Sequence, residues 1–215
     1  MNVLVLGATG TIGRHIVAEL AHRGHHTLSG LRTGSEASPP PGDTVVVDPL
    51  SPDSVAAAAR GVHAVVSALG GSRHGHPGLV REAMPVVVQG LEGAHVHRLL
   101  VVGGASSLLD IDGRRRVDAT DFPAAWRAGS LAQADALGFL RAYTGPVNWS
   151  YLSPSDRIGD GPRGGVELGE NHLLRAPNGE SWISLGDYSG VLVDELERNH
   201  HPRRRFTARS ERSAA

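Results

Sequence analysis

The 215-residue chain contains no cysteine and no lysine, and all 21 of its basic side chains are arginine. Without cysteine it cannot hold a disulfide scaffold, a thiol nucleophile, cysteine-ligated zinc or an iron–sulfur cluster. Without lysine it cannot form a Schiff base or carry the lysine of a Walker phosphate loop. Nor can it build a Tyr-x-x-x-Lys pair, in which the ammonium lowers the phenol pKa so that a proton can be exchanged with substrate. Excess charge is missing as well. The 21 basic and 22 acidic residues leave a formal net charge of -1, so no basic field argues for a nucleic-acid partner. No apolar run approaches the length of a membrane span, and a first strand at residue 3 leaves no room for a signal peptide. The expectation is a cytoplasmic protein with no membrane partner. At this length the chain makes one well-cored domain, spanning residues 1–215.

What is present is concentrated near the amino end, where residues 3–13 read VLVLGATGTIG. The run Val3-Leu4-Val5-Leu6 is apolar on both sides, as a parallel strand covered by helices must be. It runs directly into a turn. Gly7 permits the tight bend, Gly10 removes a Cβ where a pyrophosphate would approach the backbone, and Gly13 lets the next helix lie close. That helix, over Ile12 to His22, aims its N–H groups and the positive end of its dipole at the phosphates. The glycine spacing gains weight from lying between a strand and an amphipathic helix.

Strands and helices then alternate. Strands are expected at His26–Arg32, Thr44–Val47, Ala64–Ala68 and Arg98–Val102. Helices are expected at Ser54–Arg60, capped by Ser51, and at Gly78–Glu92, where Pro85 predicts a kink or a late start. Alternation at these intervals means right-handed crossovers and a parallel sheet. The fold class is α/β, a Rossmann-type doubly wound parallel sheet in a single domain. Beyond it the pattern predicts a helix at Trp126–Ala142, a strand at Val147–Leu152, and short strands at Gly165–Leu168 and Leu173–Ala176. A helix capped by Asp187 and a last strand at Arg205–Ala208 complete the reading. Residues 105–125 and 153–186 read as excursions over the substrate side of the site.

The end of the second strand selects the nucleotide. An acidic residue there accepts from a ribose 2′-hydroxyl, whereas an arginine suits a 2′-phosphate. Here Gly30-Leu31-Arg32-Thr33 carries no carboxylate before Glu36, and Arg32, Thr33, Ser35 and Arg14 supply a cation and hydroxyls. NADPH is therefore preferred over NADH. Asp48, at the end of the third strand, can meet the adenine amino group. The ends of the fourth and fifth strands, at Leu69-Gly70 and Gly103-Gly104, supply small residues where the ribose and nicotinamide must pass, since ligands bind beyond the carboxyl ends of open parallel sheets.

Several blocks together resemble a family. They are GATGTIGRHIVAELAHRGH (7–25), HAVVSALG (63–70), VVGGASSL (101–108), DFPAAWRAGSLAQADAL (121–137), WSYLSPSDRIGDG (149–161) and SWISLGDYSGVLVDELE (181–197). In this order they are similar to the atypical short-chain dehydrogenase/reductases of the NAD(P)H-flavin reductase group, of which biliverdin reductase B is a more distant relative. The resemblance covers nearly the whole chain. It implies an NADP(H)-binding reductase that works without a Tyr-Lys pair. It assigns Gly7, Thr9, Gly10, Thr11 and Ile12 to the pyrophosphate and Arg32 to the 2′-phosphate. Leu69 and Gly70 go to the ribose, Gly103 and Gly104 to the nicotinamide, and the Ser153-Pro154-Ser155 turn to the carboxamide edge. Two positions depart from the family. Trp126 stands where members commonly have an aromatic hydroxyl, which removes proton donation from there. Ser155-Asp156-Arg157 stands where the biliverdin relative has a histidine, which argues against tetrapyrrole reduction.

Reduction of FMN, FAD or a quinone-like acceptor needs a hydride donor stacked on the acceptor ring and no strong acid, with positioning supplying most of the rate. Ser107 is the candidate hydrogen-bond partner of the acceptor, with capping of a local turn as its alternative role. Asp156 and Arg157 either orient a substrate or form an exposed turn pair. Trp126 and Trp182 either stack on a ring or pack in the core or at the rim. His74, His76, His95 and His97 have spacings that share a strand face but add no further ligands, so no metal is expected. Ligation of NADP(H) without turnover, in a redox sensor, is the rival class of function. The partner implied is a small-molecule acceptor, and the protein is expected to be a monomer or a homodimer.

Overall fold

In the computed structural model, which describes residues 1–33, 38, 40–70 and 75–211, β1 (Asn2–Leu6) lies inside an eight-stranded sheet. Its side chains alternate between two cores. Leu4 and Leu6 join one and Val3 and Val5 the other, all of them 0–1% exposed. This is what an uninterrupted apolar run achieves when both faces are covered. α1 (Thr11–His22) buries Ile16, Val17 and Leu20 against the second core and packs on α5 (Leu185–Arg198). The other face carries α2 (Pro52–Ala59), α3 (Leu79–Gly93) and α4 (Ala124–Ala142).

The remaining strands are β2 (His26–Leu31), β3 (Asp43–Val46), β4 (Ala64–Ser67), β5 (Arg98–Val102), β6 (Asn148–Ser153), β7 (Arg157–Gly159), β8 (Val166–Gly169), β9 (Trp182–Ser184) and β10 (Arg204–Ser210). The sheet order is β3-β2-β1-β4-β5-β6-β10-β8, all parallel except β8, which runs against β10. The doubly wound single domain expected from the sequence is present, with one antiparallel edge strand added. Its order reverses between β1 and β4, and a crevice opens at such a switch point beyond the carboxyl ends of the strands.

Local boundaries follow the sequence closely. Ser51 caps α2 by accepting from the Ser54 N–H at 3.3 Å, and α3 starts on time and runs through Pro85 without a break. Two expectations are corrected. Residues 173–176 form no strand; Leu173 N–H donates to Leu109 O, and the chain then turns back with Ala176 N–H bonded to Glu180 O. The cap of α5 is Ser184 rather than Asp187. Ser184 Oγ accepts from Asp187 N–H at 2.9 Å, while the Asp187 carboxylate is engaged by Gly164 N–H and Ser210 Oγ. The short pair β7 and β9 went unforeseen, because each strand is three residues long and its partner is distant in sequence.

Candidate cofactor-binding site

Gly7 sits at φ +78°, and a Cβ there would come within 2.5 Å of the Ala68 carbonyl oxygen at the end of β4. The bend and its contact with β4 both require glycine. A Cβ on Gly13 would overlap the Gly7 carbonyl, so that glycine is demanded by the packing of helix on turn. Gly10 is different. A Cβ there meets only Gly7 O, at 3.3 Å, with open space beyond. Gly10 N–H donates to Gly7 O at 3.0 Å, and Gly10 O accepts the first α1 hydrogen bond, from Arg14 N–H, at 2.9 Å. Gly10 is the N-cap and offers no side-chain oxygen, and no acidic residue lies in the first helical turn. A helix start directs N–H groups and partial positive charge outward. Thr9, Thr11 and Ile12 complete this turn, and its residues fit a pyrophosphate.

At the end of β2, Arg32 is exposed and makes no hydrogen bond or ion pair with any described residue. Arg14 behaves otherwise: Nε donates to Thr9 O at 3.0 Å and Nη2 to Ser38 O at 2.5 Å, so its guanidinium braces the glycine turn against the loop after β2. Ser35 and Glu36 lie outside the described residues. Asp48, exposed beyond β3, accepts from Leu50 N–H through Oδ1 at 2.9 Å in a local Asx turn.

Between these groups and the sheet, Leu69 is half-buried and Gly70 exposed beside the Gly7 turn. A Cβ on Gly103 would enter the Tyr151 ring, and one on Gly104 would meet Gln133. Tyr151 Oη accepts from Gly104 N–H at 3.2 Å and reaches Gln133 O at 3.1 Å. Burial pushes this phenol far above its usual range, so it is a neutral post beneath the turn. Ser153, Pro154 and Ser155 are all buried, and Ser155 Oγ points into the sheet to donate to Ala208 O at 3.0 Å. The Ser155 hydroxyl is thereby spent inside the fold.

Ser107 is half-buried on the short 3-10 turn Ala105–Ser107 after β5, and its Oγ accepts from Arg205 Nη1 at 2.9 Å. Arg205 also donates to Asn171 Oδ1, from Nη2 at 2.7 Å and from Nε at 3.1 Å. Asn171 O accepts from Leu109 N–H at 2.9 Å. One β10 side chain thus gathers both excursions. Burial first, and the nearby Arg141 charge second, push the Arg205 pKa down to about 10. A second arginine does similar work: Arg116 pairs with Asp121 and with Asp156. Asp156 is therefore held inside the loops, while Arg157 is exposed and only 3.5 Å from Glu180. Trp182 is buried, whereas Trp126 is 62% exposed at the start of α4. Among the described residues no three His, Cys, Asp or Glu side chains converge on a metal position, and His74 lies outside them.

Sequence reasoning did not identify Arg205, Tyr151 or Arg116. Their roles come from partners 98, 47 and 40 positions away. The one local signal was an arginine at an inward position of the strand RRFTARS.

A family model described as NAD(P)H-binding matches residues 7–199. YwnB of Bacillus subtilis (strain 168), a protein named as uncharacterized, is 30% identical over 98% of this chain and 99% of its own. A presumptive NADH-flavin reductase from Streptococcus pneumoniae TIGR4 superposes with a TM-score of 0.84 at 32% identity, covering 98% of this chain and 100% of that one. A presumptive exported protein from Burkholderia pseudomallei gives 0.87 at 34% identity, over 97% and 99%. No helix among the described residues is long and apolar enough to cross a membrane.

Proposed function

Since this chain belongs to the NAD(P)H-binding family, and the reductase resemblance runs through nearly all of it, we propose that it is an NADPH-dependent reductase. It would pass a hydride to a flavin, FMN or FAD, or to a quinone-like ring, as a cytoplasmic enzyme acting as a monomer or homodimer. The observation that carries the reading is the pairing of a glycine turn approachable at Gly10 with the guanidinium of Arg32, which has no partner among the described residues. The turn suits a pyrophosphate, and the guanidinium suits a 2′-phosphate.

NADPH, when bound, supplies the hydride, and the protein's task is to hold and orient. The turn over residues 7–12 would hold the pyrophosphate, with Gly10 letting it approach the backbone, the start of α1 supplying partial positive charge and Arg14 keeping the turn in place. Arg32 holds the 2′-phosphate, and Asp48 faces the adenine. Leu69 and Gly70 border the ribose; Gly103, Gly104, Ser153 and Pro154 border the nicotinamide. On the acceptor side, residues 105–125 and 153–186 form the cover. Ser107 receives a hydrogen bond from Arg205, which leaves the serine proton free to donate to an acceptor ring atom. Trp126, exposed at the start of α4, offers an indole for the acceptor to stack on.

The test is steady-state NADPH oxidation with FMN, FAD and menadione as acceptors, alongside Arg32→Ala and Ser107→Ala. Turnover that weakens for NADPH in the first variant and slows in the second supports the reading. Tight NADPH binding with no turnover on any acceptor would replace it with the sensor.

A further inference from the structure

On the edge of the sheet opposite the glycine turn lies a hollow of about 230 Å³, lined by Arg141, Trp149, Glu170, Asn171 and Arg203–Arg205. Arg141 is in the last turn of α4, Trp149 near the start of β6, and Arg204 opens β10. These are amino-end positions of parallel strands, so the hollow opens away from the carboxyl ends where the glycine turn lies, and Arg205 alone reaches from its lining to Ser107. It brings four guanidiniums to one place.

Two arginines among the described residues are buried, and they are treated in opposite ways. Arg116, 9% exposed, has two carboxylates. Arg205, 6% exposed, has none among the described residues; its donors go to neutral oxygens of Asn171 and Ser107. A buried cation without a counter-charge is costly, and a second cation beside it adds to the cost. Arg141 donates only to Asn171 Oδ1, at 3.0 Å. Arg203, held at φ +55°, donates to Gly145 O at 2.5 Å, and Arg204 has no partner among the described residues. Glu170, exposed at the rim, is in ion-pair range of none of them. The indole N–H of Trp149 is buried and has no acceptor. Four cations without a carboxylate and one orphan donor make a set of hydrogen-bond donors that lacks its acceptor.

We propose that this hollow is a second binding site, for a phosphate group. A tetrahedral phosphate presents several charged acceptor oxygens, which match arginine forks better than one carboxylate does. At roughly 30 Å³ per water the hollow holds about seven waters, enough for phosphate and a small attached group. The site does not depend on the cofactor reading.

The full chain would be titrated with inorganic phosphate at constant ionic strength by calorimetry, with and without saturating NADP⁺. The Arg141→Ala/Arg204→Ala variant and Arg32→Ala would be run in parallel. Arg205 is left intact because it holds Ser107 and Asn171, whereas Arg204 has no protein partner to lose. One saturable event is expected that survives NADP⁺ and Arg32→Ala and weakens at least tenfold in the double variant. No saturable event, or one unchanged in the double variant, overturns the proposal. Binding of phenyl phosphate tighter than that of the free ion identifies a phosphorylated small molecule as the source, and equal binding identifies phosphate itself. Failure of NADP⁺ to bind would overturn the cofactor reading and leave the phosphate result standing.

Discussion

Arg116 holds Asp156 through Nε, 3.0 Å from each carboxylate oxygen, and so fastens the segment after β5 to the segment after β6. Its other edge takes Asp121, at 2.7 and 3.2 Å. Burial works against this guanidinium, but the two carboxylates outweigh it and raise its pKa further. Stripping a fully buried pair of one partner typically costs about 3–5 kcal/mol. Here Asp121 is largely in water, so Arg116→Met should cost about 1–2 kcal/mol in urea unfolding. Asp156→Ala should cost less, because Asp121 remains. A loss in Asp156→Ala as large as in Arg116→Met would show that Asp121 contributes nothing.

The two glycines of the first turn should separate by experiment. Gly7→Ala forces a side chain into a positive-φ position and onto Ala68, and should lower the melting temperature markedly. Gly10→Ala meets only Gly7 O, at 3.3 Å, and should lower the melting temperature much less than Gly7→Ala, while weakening NADPH binding at least tenfold. Equal loss of stability in both variants would make Gly10 a packing glycine.

Arg32→Ala should discriminate between the two pyridine nucleotides. A charge-assisted hydrogen bond contributes about 1.5–3 kcal/mol, so NADPH affinity should fall roughly ten- to a hundredfold. NADH affinity and stability should not move, because Arg32 has no partner to lose among the described residues. Fluorescence titration with both cofactors reads this directly.

Glu195 is an acid-sensitive point of the fold. It is 3% exposed; Arg98 Nη2 lies 3.0 Å from Oε1, the Ser150 hydroxyl donates at 2.8 Å, and the His201 ring lies at 2.8 Å. Burial raises its pKa, but hydrogen bonds from His201 and Ser150 and the Arg98 charge outweigh burial and hold it below the ordinary 4.5. A carboxyl lowered on folding stabilises the protein above its unfolded pKa, and that stability is lost as the pH falls through the folded value. Unfolding free energy should therefore drop below about pH 4.5, the ordinary value. Glu195→Gln should flatten that part of the profile while being less stable at neutral pH.

The stretch from β1 to β5 was legible because its signals are local: apolar runs, glycines at turns, and Ser51 before Pro52. Arg32 could be placed for the same reason, since the end of a strand fixes the position without any tertiary information. Asp187 shows where this stops. An aspartate before a helical pattern looks like a cap, yet its carboxylate is claimed by Ser210 and Gly164, which the chain brings together only after folding. Ser107 was singled out from its place after β5, but Arg205, which holds it, belongs to a strand about a hundred residues later. The loops after β5 and β6 are joined by such distant pairs, and spacing does not encode them.

Because Arg205 lies on a strand that follows every other element described here, Ser107 and Asn171 wait for their common anchor until that strand is delivered. A domain folds as a unit, so the loops after β5 and β8 take their joined arrangement only once the last strand has left the ribosome and its arginine can bridge them.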